Sequence, residues 1–324
     1  ATGAQGVVPT NEAIVSIAQA DFGAQVAWVM ILGFALSIVL ARFTPLRYVF
    51  LTGHHTLFMA TLLTIVLATT GMNAFSVVVI GGVLLGVVMV SLPAISQPWT
   101  KRVTGDNTIA IGHFGTLGYV VAGVVGRYTG GKRSRSTEDL KLPESLRFLR
   151  DSMVATALSM VLMYVIVSLI YVGRVGSTEA YLAYADADGA GGATGMGNFI
   201  MNGVTQGLSF GVAVAVILFG VRTILGELVP AFQGIAERVV RGAVPALDAP
   251  IVFPYAQNAV LIGFLSSFAA GLVGLGVLSL WLGPAFGWAL VLPGLVPHFF
   301  TGGAAGVYGN ATGGRVGAIS GGFA

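Results

Sequence analysis

Residues 242–259 read GAVPALDAPIVFPYAQNA, between an amphipathic run (Val221–Arg241) and a long apolar one (Val260–Leu282). One acid, Asp248, stands among three prolines, Pro245, Pro250 and Pro254. Proline removes a backbone donor and clashes one turn back, so the segment is predicted to be broken rather than helical. Inside a bilayer, broken backbone with a carboxylate is tolerated only where protein or a wet cavity surrounds it. Discontinuous helices of this kind point to a transporter's binding site. The competing reading is a short loop outside the membrane with a solvated aspartate.

The rest of the chain favours the membrane. Of 324 residues, 55% are hydrophobic and only 9% charged, with a mean hydropathy of +0.87. Soluble domains carry about 25% charged residues, so a polytopic membrane protein is expected. The 47 glycines suit close helix packing and non-helical backbone. The absence of cysteine excludes disulfides, thiolate metal sites and a cysteine nucleophile within this sequence. The net charge of +3 sits in loops beside apolar runs, which reads as topology bias and not as nucleic-acid binding.

In order, 25–40 is the first clear span, ended by Arg42, Pro45 and Arg47. The next run, 48–70, carries the polar insertion Thr52-Gly53-His54-His55-Thr56 near its start. Run 75–92 is strongly apolar, and Pro93 and Pro98 are predicted to stop it. Run 106–126 is mixed, with five glycines and His113 at its centre. About 20 apolar residues are needed to cross a bilayer, so the interrupted runs read as re-entrant hairpins or half-helices. Residues 127–151 form a basic loop, expected to be solvated and cytoplasmic by the positive-inside rule. Runs 153–172 and 207–225 flank an acidic, glycine-rich loop expected on the outer side. Trp28, Trp99, Trp281 and Trp288 read as interfacial belt residues.

Similar pieces recur about 240 residues apart. Val8-Pro9 with Glu12-Ala13 matches Val244-Pro245 with Asp248-Ala249, and Leu51-Thr52-Gly53 matches Leu292-Pro293-Gly294. Two approximate repeats, 1–150 and 197–324, follow, and chance similarity among apolar stretches is the alternative. The repeat predicts that helices precede residue 1 and follow residue 324, so the chain is expected to be truncated at both ends.

With these pieces in place, the chain resembles the ascorbate-type membrane component (IIC) of the bacterial phosphoenolpyruvate-dependent phosphotransferase system. The carrying residues are Leu51-Thr52-Gly53-His54, Ile111-Gly112-His113, Glu138-Asp-Leu-Lys-Leu-Pro143, Glu227–Gly234, Gly242–Asp248, Gln257–Val260 and Pro297–Phe300, with Asn310 beyond. The resemblance implies an all-α polytopic membrane protein, an inverted-repeat, elevator-type transporter with re-entrant hairpins and discontinuous helices. It implies a homodimer in the bacterial cytoplasmic (inner) membrane, an ascorbate-like substrate, and a separate soluble IIB component that phosphorylates it. By resemblance the substrate-lining residues are His54, His113, Asp248 and the pair Asn11-Glu12. Phe58 stands where the family has a glutamine, and Phe114, Gly115 and Thr116 follow the second histidine where the family again uses glutamine. A related sugar acid is therefore expected alongside ascorbate itself.

Chemically, neutral imidazole offers one donor and one acceptor to hydroxyls, and its protonated form suits an anion. Each histidine is alternatively a structural one bonded to nearby backbone. Asp248 either accepts from ligand hydroxyls or caps a helix. His55 and His298 read as structural or interfacial. No HExxH, GxSxG or pair of catalytic carboxylates is read in the sequence, so the chain is expected to be no enzyme by itself; no cofactor or metal is expected either. The rival transport reading is an ion-coupled secondary transporter with Glu12 or Asp248 as proton carrier.

Overall fold

A computed structural model describes residues 11–140, 152–185, 191–223, 226–227, 238–289, 291 and 293–324. Val8-Pro9, Leu292, all of 141–151 and 228–234 lie outside the described residues, so the parts of the repeat, loop and resemblance readings that rest on them do too. Among the described residues, five helices are long and apolar enough to cross a membrane: Ala20–Phe43, Ala74–Thr104, Ala157–Val175, Met196–Val216 and Gln257–Phe286. Their large apolar side chains face outward in number, with Phe75 78%, Phe43 77% and Leu280 84% exposed. Water would penalise such faces and lipid does not, which agrees with the composition.

The chain divides into two compact units. In the smaller, 140–222, α5 (Ser152–Val175) packs on the helix α6 (Met196–Thr223). A Cβ at Gly207 would lie 2.5 Å from the Val161 backbone, and one at Gly211 would lie 2.5 Å from the Ala157 side chain. Contrary to the sequence reading, which counts G-x-S-x-G as absent, Gly207-Leu-Ser-Phe-Gly211 does spell that pattern of hydrolase nucleophile elbows. It lies inside a helix and not at a strand-to-helix turn, and its glycines serve packing.

The larger unit joins 1–139 to 223–324. Its first-half elements are α1 (Asn11–Phe43, kinked at Phe22), β1 (Tyr48–Phe50), α2 (Gly53–Thr69), α3 (Ala74–Thr104), β2 (Ala110–Ile111) and α4 (Thr116–Thr129). From the second half come β3 (Val244–Leu247), a 3₁₀ turn Ala249–Tyr255, α7 (Gln257–Val277) and α8 (Gly303–Phe323). One expectation changes. Helix α3 runs on through Pro93 and Pro98 to a left-handed cap at Gly105. In a membrane bundle, neighbouring groups and local adjustments re-satisfy the backbone that a proline frees. Near its end Trp99 packs on Gly123, with the Arg102 guanidinium 4.9 Å from its ring centre.

A small parallel sheet was not anticipated. Its order is β1-β3-β2, so the strand from the second half lies between two from the first. Tyr48 pairs with Val244 and Phe50 with Ala246, while Ala110 pairs with Ala246 and Ile111 with Leu247. Pro245 sits in the middle strand without breaking it. The neighbouring residues bond to β1, through Val244 N to Arg47 O (2.8 Å) and Leu51 N to Ala246 O (2.9 Å). The missing proline donor therefore faces the opposite edge, ahead of the point where β2 begins. This sheet satisfies broken backbone internally, as a hydrocarbon surrounding demands.

Part of the basic loop is docked and not simply solvated. Helix α8 breaks at Gly313 and Gly314, the latter at φ +57°. The loop enters that break, where Arg315 N donates to Arg135 O (2.8 Å) and Val316 N to Ser134 Oγ (3.1 Å). Three residues on, the Glu138 carboxylate accepts from the first-turn amides of α7, Asn258 N (3.0 Å) and Ala259 N (3.3 Å). Asn310 Oδ1 fixes the same loop by accepting from Thr137 N (2.9 Å).

Candidate functional site

The three strands run in one direction, and each delivers a polar side chain just past its carboxyl end. After β1, the chain passes Leu51 and Thr52 into α2, whose first turn carries His54 and His55. After β2 comes Gly112 and then His113; after β3 comes Asp248. Gly112 is required by contact: a Cβ there would lie 2.5 Å from Ala246 O. Its amide donates to Leu247 O (2.7 Å), which locks the His113 segment to the Asp248 segment. Placing a ligand outside the carboxyl ends of parallel strands is the general habit of open parallel sheets.

The side chains meet. Asp248 is the clasp: Oδ1 lies 3.1 Å from His55 Nε2 and Oδ2 lies 3.3 Å from His54 Nε2. Oδ1 also accepts from Ala249 N (2.7 Å), so the aspartate caps the 3₁₀ turn. The cap reading of Asp248 is thus realised, and the same carboxylate also meets two imidazoles. The His55 and His113 rings stand 4.1 Å apart, centre to centre, at 68°.

His113 is buried and its orientation is over-determined. Its Nδ1 accepts from Gly115 N (2.8 Å) and lies 3.2 Å from the Tyr119 hydroxyl. The Thr116 hydroxyl donates to its carbonyl. A backbone amide can only donate, so Nδ1 is the acceptor nitrogen and the neutral ring carries its proton on Nε2. The structural role expected as an alternative for His113 holds on one nitrogen, which leaves the other as an aimed donor.

Helix α2 opens on this cluster with no side-chain cap at Thr52, and α4 opens with none at Gly115. Helix starts carry unsatisfied amides and a positive end of the helix dipole, which favour an anion. The walls are apolar. Phe58 sits 6.4 Å from His54 between ring centres, and Phe114 sits 6.5 Å from His55 while packing on Phe50.

Of the expected residues, the structure brings together His54, His113 and Asp248, with Phe58 at their edge. Asn11 and Glu12 fall at the start of α1, and their side chains lie outside the described residues. Sequence reasoning set His55 aside as structural or interfacial, yet it lies closer to the Asp248 carboxylate than His54 does. Adjacent residues normally point to different faces of a helix, and only the first turn lets both converge. Thr52 was missed as well: its hydroxyl is buried beside Gly112, without a hydrogen-bond partner among the described residues. His298 bonds Ser267 (2.7 Å) and packs on Phe268, the structural part expected of it.

With this geometry in view, comparison with known proteins is informative. The family model described as PTS system sugar-specific permease component (EIIC-GAT) matches residues 1–324. The Ascorbate-specific PTS system EIIC component of Mycoplasma pneumoniae is 30% identical across 91% of this chain and 48% of the relative. The chain thus spans about half the length of the curated relative it matches.

Proposed function

The chain belongs to the EIIC-GAT family of PTS system sugar-specific permease components, and we propose that it is the membrane-spanning, substrate-translocating part of such a system. The substrate is a sugar acid of the ascorbate class, the class named in its Mycoplasma relative. The observation that carries this reading is the meeting of three imidazoles and one carboxylate at the ends of three parallel strands. Imidazole donors and two uncapped helix starts meet an anion; Asp248 accepts from hydroxyls; Phe58 and Phe114 flank the less polar edge of the ring. Glutamines would add amide hydrogen bonds where these phenylalanines stand, so the pocket favours a substrate with fewer polar groups on that side.

The chain itself makes and breaks no bond on this reading. A soluble IIB component phosphorylates the substrate on arrival, which removes it from the exit equilibrium and makes transport vectorial. The protein works in the bacterial cytoplasmic membrane as a homodimer, moving its site by an elevator-like displacement, with 127–151 on the cytoplasmic side. The halves 1–150 and 197–324 act as inverted repeats, and Asn11-Glu12 complete the site.

The test is a binding screen on purified protein, by thermal shift, of ascorbate against other sugar acids and pentitols. Stabilisation by a sugar acid and not by pentitols is expected; the opposite order would overturn the substrate class. Uptake into vesicles should require the soluble partner and phosphoenolpyruvate. Uptake driven by a proton gradient alone would establish the ion-coupled transporter in its place.

A further inference from the structure

We propose that His54, His55 and Asp248 form a binding site for a transition-metal dication of the zinc class. The ligand atoms are the right ones: two imidazole nitrogens and one carboxylate are a common set for zinc, iron and cobalt. All three lie within 4.8 Å of one another. Zinc holds nitrogen at about 2.0–2.1 Å and oxygen at about 2.0–2.2 Å, so ligand atoms around a tetrahedral ion stand roughly 3.3–3.5 Å apart. The Asp248 oxygens lie 3.1 Å and 3.3 Å from the two histidine Nε2 atoms. His54, whose side chain is 57% exposed, is the ligand with room to adjust.

The surroundings support the same reading. Asp248 is oriented from behind by the amide of Ala249, an outer contact of the kind that fixes metal-bound carboxylates. His113 stays outside the set, because Gly115 and Tyr119 occupy its Nδ1 and its Nε2 carries the ring proton. Three protein ligands leave a fourth position open to water. The sequence reading expected no metal, but the missing cysteine excludes only thiolate sites, and nitrogen and oxygen ligands do not need it.

The test uses cobalt(II) as a coloured substitute, titrated into the intact purified protein with no sugar acid present, so that its outcome does not depend on the substrate reading. One equivalent per chain should bind with the visible absorption of four-coordinate cobalt, and zinc should displace it. Loss of a direct ligand in His54→Ala, or of ligand charge in Asp248→Asn, should weaken cobalt at least about 100-fold, beyond the cost of losing an outer contact. His113→Gln should leave cobalt affinity unchanged. Absorption that never saturates, or that persists in both ligand variants, would overturn the proposal. So would a loss in His113→Gln as large as in His54→Ala.

Discussion

Two of the breaks in helical geometry within the larger unit are resolved in different ways. At Gly313-Gly314 in α8, the freed amides of Arg315 and Val316 are taken by Arg135 and Ser134, and Glu138 closes the start of α7 nearby. At the three-stranded sheet, backbone pairs with backbone; Asp248 caps the 3₁₀ turn after β3 and His113 Nδ1 takes the Gly115 amide, while α2 and α4 start with no side-chain cap at Thr52 or Gly115. The first break is saturated from within and presents glycine. The second spends one face of Asp248 and His113 on local amides and still presents His54, His55, the other carboxylate oxygen and His113 Nε2. A broken helix in a membrane protein is thus not a site by itself; what matters is which polar groups are left over once the exposed amides are satisfied.

That contrast is open to attack, most sharply at Asp248. Asp248→Asn keeps the cap but removes the charge that two imidazoles share. Sugar-acid affinity should fall by about two orders of magnitude, roughly 2–3 kcal/mol, with the melting temperature nearly unchanged. Equilibrium binding beside a melting curve checks both halves of this claim. Gly314→Ala tests the other break. Its Cβ would meet Arg135 O and Ser134 O, each at 2.4 Å, in left-handed backbone. About 1–3 kcal/mol of stability should be lost, while the fraction that remains folded binds substrate normally. If binding fell more than stability there, the two breaks would not be functionally separate. Glu138→Ala removes the cap of α7 and should cost about 1 kcal/mol, with Glu138→Gln recovering part of it in the same thermal assay. The smallest effect is expected for Tyr119→Phe, which deletes one of two partners of His113 Nδ1. Affinity should fall by a few-fold, about 0.5–1.5 kcal/mol, with ¹⁵N resonances of His113 still reporting a proton on Nε2 because Gly115 remains.

The broken segment was legible because proline acts locally: three prolines around one acid forbid a regular helix in any surroundings. The convergence of His54, His113 and Asp248 was legible through family likeness more than through spacing. The sheet was not, since strands of two to four residues are too short to show an alternating pattern. His55 was lost for a related reason, its role depending on the strand that aims the first turn of α2. The course of α3 through Pro93 and Pro98 was hidden because the cost of a proline depends on neighbours distant in sequence.

The strand order carries a consequence for how the protein comes into being. The central strand is the last of the three to be made, and His55 waits for a partner 193 positions downstream. Ribosomes deliver residues at about 5–20 per second, so β1 and β2 emerge many seconds before the keystone that joins them. β1 and β2 pair only through β3, so until then neither outer strand has its partner. A chain made only as far as residue 243 therefore owns every histidine named above except His298 but lacks Asp248, the carboxylate that joins two of them.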